Sequence, residues 1–238
     1  MNPMAKPFIK PILSPEDAAR MVKSKASLML GGFNYGGAPY TMIDAINTAG
    51  TKEIDLICVG TSYCNDKVPG PVGVAKLVLD GQLRSLVGSH IGLNKRTQEL
   101  YTSGELKIEL IPMGTYVERI RAGGAGLGGF LSPVGVGTDY EKGRETIEFG
   151  GKKYILEPPL RADVAIISAY KADKAGNLTY RGTSRNFNPT IATAADYVIA
   201  EVDEIVEIGA IDPEMVITPG IFIDALVLKG DNPYASRA

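Results

Sequence analysis

Between Ser27 and Arg121 the chain repeats one unit four times: a short apolar run, a polar or glycine-rich break, and a stretch with helical spacing. The apolar runs are Ser27 to Leu30, Ile54 to Val59, Ser85 to Gly88 and Leu106 to Ile111. The first helical stretch, Thr41 to Thr48, carries Met42, Ile43, Ala45 and Ile46, with Gly50 placed to stop it. Pro71 to Leu79 ends at Asp80-Gly81, and Asn94 caps a helix that reaches Ser103-Gly104. Thr115 to Arg121 reads as a helix that stops at Gly123-Gly124. A further helix opens ahead of the series, where Ser14-Pro15-Glu16-Asp17 supplies an N-cap, an N1 proline and an acidic first turn, running through about Val22. Connections of this length allow right-handed crossovers between parallel strands. The pattern therefore predicts an α/β fold: an open, mostly parallel sheet with helices on both faces.

After Gly137 the rhythm changes. Thr146 to Phe149, Gly150-Gly151 and Lys153 to Leu156 read as a small β-hairpin with a two-glycine turn, an excursion from the main sheet. Ala162 to Ala169 and Tyr197 to Val202 return to nearly continuous apolar strands, and Ile217 to Leu228, broken by Pro219-Gly220, is expected to close the sheet. No repeat, low-complexity run or linker divides the chain, so residues 1–238 are expected to form one domain.

Composition narrows the function classes. A formal net charge of −2 without a basic block argues against an electrostatic nucleic-acid footprint. No apolar run reaches the roughly 18 residues that span a bilayer, and Met1 to Pro15 lacks an apolar signal core, so a cytoplasmic setting is expected. Cys58 and Cys64 are too few for a disulfide framework. With His90 as the one histidine, no typical zinc set can be assembled, and no metal is expected.

The segment Gly31-Gly32-Phe33-Asn34-Tyr35-Gly36-Gly37-Ala38-Pro39 follows the first apolar run directly. Glycine tolerates φ > 0 and lets other groups approach the backbone closely, so four glycines in seven residues mark where the main chain meets something. A tight strand-to-helix turn is the plainer reading. The spacing is neither a dinucleotide fingerprint nor a P-loop. A literal G-x-G-x-x-G does occur at Gly124, Gly126 and Gly129, but it follows a helix, so it is rejected as a dinucleotide site. The segment Arg121 to Gly137 reads instead as a flexible stretch packing near an active site or subunit interface, or equally as a plain loop. His90 has no nucleophile elbow beside it and reads as a hydrogen-bonded strand-end histidine, and the two cysteines read as core or near-core thiols. Glu105, Glu109, Glu118, Glu201 and Glu204 are scattered. Glu118 with Arg119 and Arg121 reads as a solvated or ion-paired helix face, and Asp203-Glu204 as a strand-end cap. A ligand-shaped loop without a nucleophile points to a half-site completed by another polypeptide.

The pattern G-G-F-x-x-x-G-x-P resembles the α subunit of family I coenzyme A transferases, the acetate/butyrate–acetoacetate or 3-oxoacid type. The resemblance runs from about Ser14 to Lys229. It continues through Ser89-His90-Ile91-Gly92-x-Asn94, Ser103-Gly104-Glu105-Leu106 and Gly114-Thr115. Further blocks are Glu118 to Phe130, Gly135-x-Gly137-Thr138, Leu160-Arg161-Ala162-Asp163, Ala175-Gly176-Asn177-Leu178 and Ser184-Arg185-Asn186-Phe187-Asn188.

The resemblance implies transfer of coenzyme A between a thioester and a carboxylic acid. In such enzymes a glutamate of the β subunit is the nucleophile, a glutamyl-CoA thioester forms on it, and the kinetics are ping-pong. It implies a β-subunit partner in an α2β2 assembly, no catalytic residue in this chain, and coenzyme A as substrate with no permanently bound cofactor. Gly31, Gly32, Phe33, Asn34, Tyr35, Gly36 and Gly37 become the CoA-binding loop, and Val59, Gly60, Met113 and Gly114 the substrate pocket. Relatives acting on acetoacetate or succinate often carry Pro-Gln-Gly in place of Pro112-Met113-Gly114, and asparagine near Val59-Gly60, so the acyl pocket here is expected to be more apolar. Two other readings remain open: a scaffold that kept the fold and lost catalysis, and a sugar-phosphate isomerase, for which no basic phosphate clamp is evident.

Overall fold

The computed structural model describes residues 6–62, 64 and 70–230. Strand β1 (Ile12–Leu13) precedes helix α1 (Pro15–Ala19), whose first turn is capped by Ser14 Oγ accepting from Asp17 N at 3.0 Å. Helix α1 stops short of the expected Val22 because the chain tightens there: Met21 N and Val22 N donate three residues back, to Ala18 O and Ala19 O. There follow β2 (Ser27–Leu30), α2 (Tyr40–Ala49), β3 (Ile54–Ile57), α3 (Val74–Leu79), β4 (Leu83–Gly88), α4 (Lys95–Ser103), β5 (Lys107–Leu110) and α5 (Met113–Gly124). Asn94 caps α4 through Thr97 N, and Gly50 and Gly104 end α2 and α4 in left-handed conformations, as their positions predicted.

Helix α5 corrects one expectation. It runs through Gly123 and Gly124 and ends at Ala125. These glycines serve close packing instead of termination. A Cβ on Gly123 would lie 2.9 Å from the Leu160 carbonyl carbon, and one on Gly124 would lie 2.7 Å from Thr193 Cβ.

The second half comprises β6 (Phe130–Ser132), β7 (Thr146–Phe149), β8 (Lys152–Glu157), β9 (Ala162–Asp173), β10 (Leu178–Thr179), α6 (Asn188–Ile191), β11 (Ala195–Val206) and β12 (Ala225–Leu228). The hairpin β7–β8 turns at Gly150 (φ +59°) and Gly151 (φ +73°), the left-handed pair a type I′ turn requires. Strand β6 adds to β8 to make a separate three-stranded antiparallel sheet. The final strand is shorter than expected. Pro219 begins a helical turn over Gly220–Phe222, so the stretch is split: Thr218 makes only an isolated antiparallel bridge to Leu178 of β10, Ala225–Leu228 forms the strand, and β1 occupies the edge beyond it.

The main sheet has the order β1-β12-β11-β9-β2-β3-β4-β5, every neighbouring pair parallel, with β10 antiparallel on β9. Side chains alternate along the strands and feed two cores. Leu28 and Leu30 pack with Met42, Ile43 and Leu77 of α2 and α3, while Met29 packs on the other face with Tyr116, Ile120 and Ile191 of α5 and α6. Helices thus cover both faces. From β2 the chain steps through β3 and β4 toward β5. From β9 it steps the opposite way, through β11 to β12. The winding therefore reverses between β2 and β9, and open α/β sheets place ligands beyond the carboxyl ends of the strands at such a reversal. The glycine loop is the exit of β2 at that point.

Arg119 lies elsewhere than the helix-face reading placed it. Its side chain is buried, with Nη1 on Glu109 Oε1 at 2.9 Å and Nε on Pro158 O at 2.7 Å. Arg144 Nη2 reaches the same Glu109 oxygen at 2.9 Å and stacks 4.0 Å over the Tyr140 ring, tying the small sheet to β5. Burial raises the Glu109 carboxyl, but its bonds to Arg144 and Arg119 outweigh this and hold it below the usual range. Glu118 and Arg121 do form the exposed ion pair expected of them.

Candidate active site

A cavity of about 260 Å³ opens beyond the carboxyl ends of β2 and β3, on the β3 side of the reversal. Gly31, Gly32, Phe33, Asn34 and Ala38 form one wall. Opposite are Cys58, Val59, Gly60, Thr61 and Ser62 at the exit of β3, with Val74, His90, Leu93 and Met113 completing it. Of the residues singled out in the sequence, Gly31, Gly32, Phe33, Asn34, Val59, Gly60 and Met113 thus meet in one cavity. Tyr35 and Gly37 line a neighbouring cavity of about 430 Å³ beside Tyr170, Tyr180 and Arg181, and Gly36 and Gly114 line neither. Ala38 borders both.

The loop folds by its own hydrogen bonds and by packing. Phe33 N donates to Gly36 O at 2.9 Å and Gly36 N to Phe33 O at 3.0 Å, closing a tight turn. Asn34 takes φ +52°, a conformation Asn tolerates better than most residues. Gly32 has φ +104°, and a Cβ there would sit 2.8 Å from Ala38 Cα. A Cβ on Gly31 would lie 2.8 Å from Asn188 Cγ, so two of these glycines answer internal packing as well as access. The N–H groups of Gly32, Asn34 and Ala38 donate to no group among the described residues. Three residues of the cavity lining thus carry backbone donors with no partner among the described residues.

The rest of the wall is apolar or neutral. Asp, Glu, Lys and Arg are absent from the lining among the described residues. Cys58 is buried, donates to Gly60 O at 3.3 Å, and has its thiol pushed up to about 12 by burial, so it is no thiolate nucleophile at neutral pH. His90 N donates to Val59 O at 3.1 Å, and its exposed side chain stands at the cavity wall.

The start of α2 is held from another strand. Pro39 offers no side-chain cap, and Glu201 of β11 takes that place, with Oε2 accepting from Met42 N at 2.9 Å. Burial pushes the Glu201 carboxyl up to about 7, against the lowering effect of the Met42 N–H and of Lys229. Glu201 is fully buried, and its Oε1 has no hydrogen-bond partner among the described residues.

Sequence reasoning missed Asn186, Phe187 and Asn188, which grip the back of the loop. They belong to a block that carries the family resemblance, but contacts across some 150 residues leave no periodic signal. It also missed Thr61, Ser62, Val74 and Leu93, brought to the wall only by the strand order.

The coenzyme A transferase family model matches residues 12–229. The chain is 41% identical over 221 residues to the alpha subunit of the acetate CoA-transferase of Escherichia coli K12, covering 93% of this chain and 98% of that one. It is 44% identical over 211 residues to the corresponding subunit of a succinyl-CoA:3-ketoacid coenzyme A transferase from Xanthomonas campestris pv. campestris B100, covering 89% and 85%. The fold matches an acyl-CoA transferase of E. coli O157:H7 (YdiF), solved as a thioester complex with CoA, at TM-score 0.82 and 21% identity. That match covers 95% of this chain and 49% of the other, so this chain spans about half of it.

Proposed function

This chain belongs to the coenzyme A transferase family, and on that premise we propose that it is the α subunit of an enzyme moving coenzyme A between a short-chain acyl thioester and a free carboxylic acid. The observation that carries this reading is a cavity with, among the described residues, unpaired loop amides and no carboxylate in its lining. Such a site can bind and polarise a thioester but offers no carboxylate to attack it. On this reading the nucleophile belongs to a companion subunit, in an α2β2 assembly.

The reaction is covalent catalysis in two halves. A glutamate of the companion attacks the thioester carbonyl, giving a mixed anhydride and CoA thiolate. The thiolate attacks the glutamyl carbonyl of the anhydride, leaving glutamyl-CoA and the free acid. A second carboxylate runs the same steps in reverse and leaves with the CoA. This chain's residues hold and polarise. The N–H groups of Gly32, Asn34 and Ala38 stabilise the oxyanion that develops when a carbonyl is attacked, and Gly31 and Phe33 bring the main chain close to the pantetheine end.

Substrate choice lies with Val59 and Met113. A site with amide donors left unpaired by an apolar acid loses about 1–3 kcal/mol. The side chains of Val59, Val74, Leu93 and Met113 add no donors of that kind and suit acetate or butyrate over a second carboxylate. The test is a panel of acyl-CoA donors with the purified complex and with this chain alone. Transfer by the complex, with acetyl- or butyryl-CoA ahead of succinyl-CoA, is expected. Strong preference for succinyl-CoA contradicts the substrate assignment, and turnover by the isolated chain contradicts the division of labour.

A further inference from the structure

Asn188 is fully buried behind the glycine loop. Its Oδ1 accepts from Ser168 N of β9 at 3.0 Å, and its Nδ2 donates to Gly37 O and to Ser184 O, each at 3.0 Å. Asn186 Nδ2 donates to Gly36 O at 3.0 Å, from a backbone held at φ +22°. Phe187, between them, packs edge-on against Phe33 and Tyr116, with ring centroids 6.1 and 6.0 Å away. Consecutive carbonyls of the loop are therefore each tied to an asparagine amide of one short segment. The fit leaves no room for a side chain, since a Cβ on Gly37 would lie 2.8 Å from Asn186 Nδ2 and 2.9 Å from Asn188 Nδ2.

In a trans peptide the carbonyl and the following N–H point to opposite sides, and no peptide among the described residues is cis. Holding Gly36 O and Gly37 O toward the asparagines turns the N–H groups of Gly37 and Ala38 away from them. Ala38 lines the cavity. We propose that Asn186 and Asn188 are positioning residues for the transfer reaction: they lock two successive peptide planes, and through the second they aim the Ala38 amide at the reacting thioester, without touching it themselves. This rests on the transferase reading above. A glycine-rich segment has the backbone freedom to swing its donors away. The clamp removes that freedom before substrate arrives, which is what electrostatic preorganisation requires.

Two variants of the purified complex separate positioning from folding. Asn186→Gly keeps a residue at ease with positive φ and deletes the amide. Asn188→Asp keeps the acceptor for Ser168 N and sets a carboxylate oxygen against Gly37 O and Ser184 O. Each is assayed for transfer kinetics, melting midpoint, and amide hydrogen exchange over residues 32–38. Both are expected to lose kcat by about 10- to 100-fold, the scale of a slightly misplaced reacting geometry. KM for the acyl-CoA should stay within about twofold, because the lost interaction belongs to the transition state. Loop amides should exchange about tenfold faster while strand amides keep their protection. Wild-type kcat in both variants, or unchanged loop exchange, overturns the proposal. A wild-type complex that transfers no CoA defeats the transferase reading instead, and the exchange measurement then still decides whether the clamp orders the loop.

Discussion

Glu201 Oε2 accepts from Met42 N at 2.9 Å, so a buried carboxylate on β11 caps α2 in place of a local side chain. Its folded-state value of about 7 lies above the ordinary 4.5. The folded chain therefore binds this proton more tightly than the unfolded chain does. The stability it contributes is fully present below about 4.5 and is lost as pH rises through about 7, a change on the order of a few kcal/mol. Thermal melts of wild type and Glu201→Gln between about pH 4.5 and 8 check this. The variant should show a flatter decline across that window, and an unchanged slope would remove Glu201 from the explanation.

Gly31 and Gly36 should respond oppositely to alanine. At Gly31 a Cβ presses into the Asn188 amide, which cannot yield without releasing Ser168 N, Gly37 O and Ser184 O. Gly31→Ala is expected to destabilise by about 1–3 kcal/mol, the usual range for overpacking, and to abolish most transfer activity. At Gly36 the nearest atom is Phe33 O at 3.6 Å, an ordinary contact. Gly36→Ala should stay within about 0.5 kcal/mol of wild type and keep its activity. Denaturant titrations and steady-state rates of the two proteins measure the contrast.

Arg119 and Arg121 sit two residues apart on α5, yet only Arg119 is buried. Arg119→Ala strands the Pro158 carbonyl and strips Glu109 of one of its two arginines, so a loss of about 1–3 kcal/mol is expected. Arg121→Ala removes only an exposed pair worth about 0–1 kcal/mol. Urea midpoints of the two variants test the difference.

These contrasts show what was legible in the chain and what was not. The parallel sheet, its two-sided helices and the β7–β8 hairpin were readable because apolar period, caps and turn glycines are local signals. Ser14, Asn94, Gly50 and Gly104 each ended or began a helix where their chemistry requires. Gly123 and Gly124 misled for the same reason: a helix-ending residue type was placed inside α5 by packing against Leu160 and Thr193, which lie far along the chain. Arg119 read as part of a solvated or ion-paired helix face and Glu201 as one scattered acid, because burial and a distant partner cannot be read from neighbours in sequence. In the cavity, the glycine loop, Val59 and Met113 were found from motif and resemblance. The asparagine clamp was not, since its contacts exist only once β2 and β9 are adjacent.

Met113 is the site at which substrate choice is expected to be adjustable. It lines the cavity, is 39% exposed, and sits in the first turn of α5. Met113→Gln adds an amide that an aliphatic acyl group leaves unpaired, at a cost of about 1–3 kcal/mol. The ratio of kcat/KM for acetoacetyl-CoA over butyryl-CoA should rise by about 5- to 150-fold, the same free energy expressed as a rate ratio. An unchanged ratio would place the acyl group elsewhere.

The division of chemistry between two chains is best tested by locating the covalent intermediate. The complex is mixed with acyl-CoA without an acceptor acid, quenched, digested and read by mass spectrometry. A CoA-derived adduct on a glutamate of the companion subunit, with none on this chain, is the predicted result. An adduct on any residue of this chain, or an adduct formed when this chain is incubated alone, would contradict it.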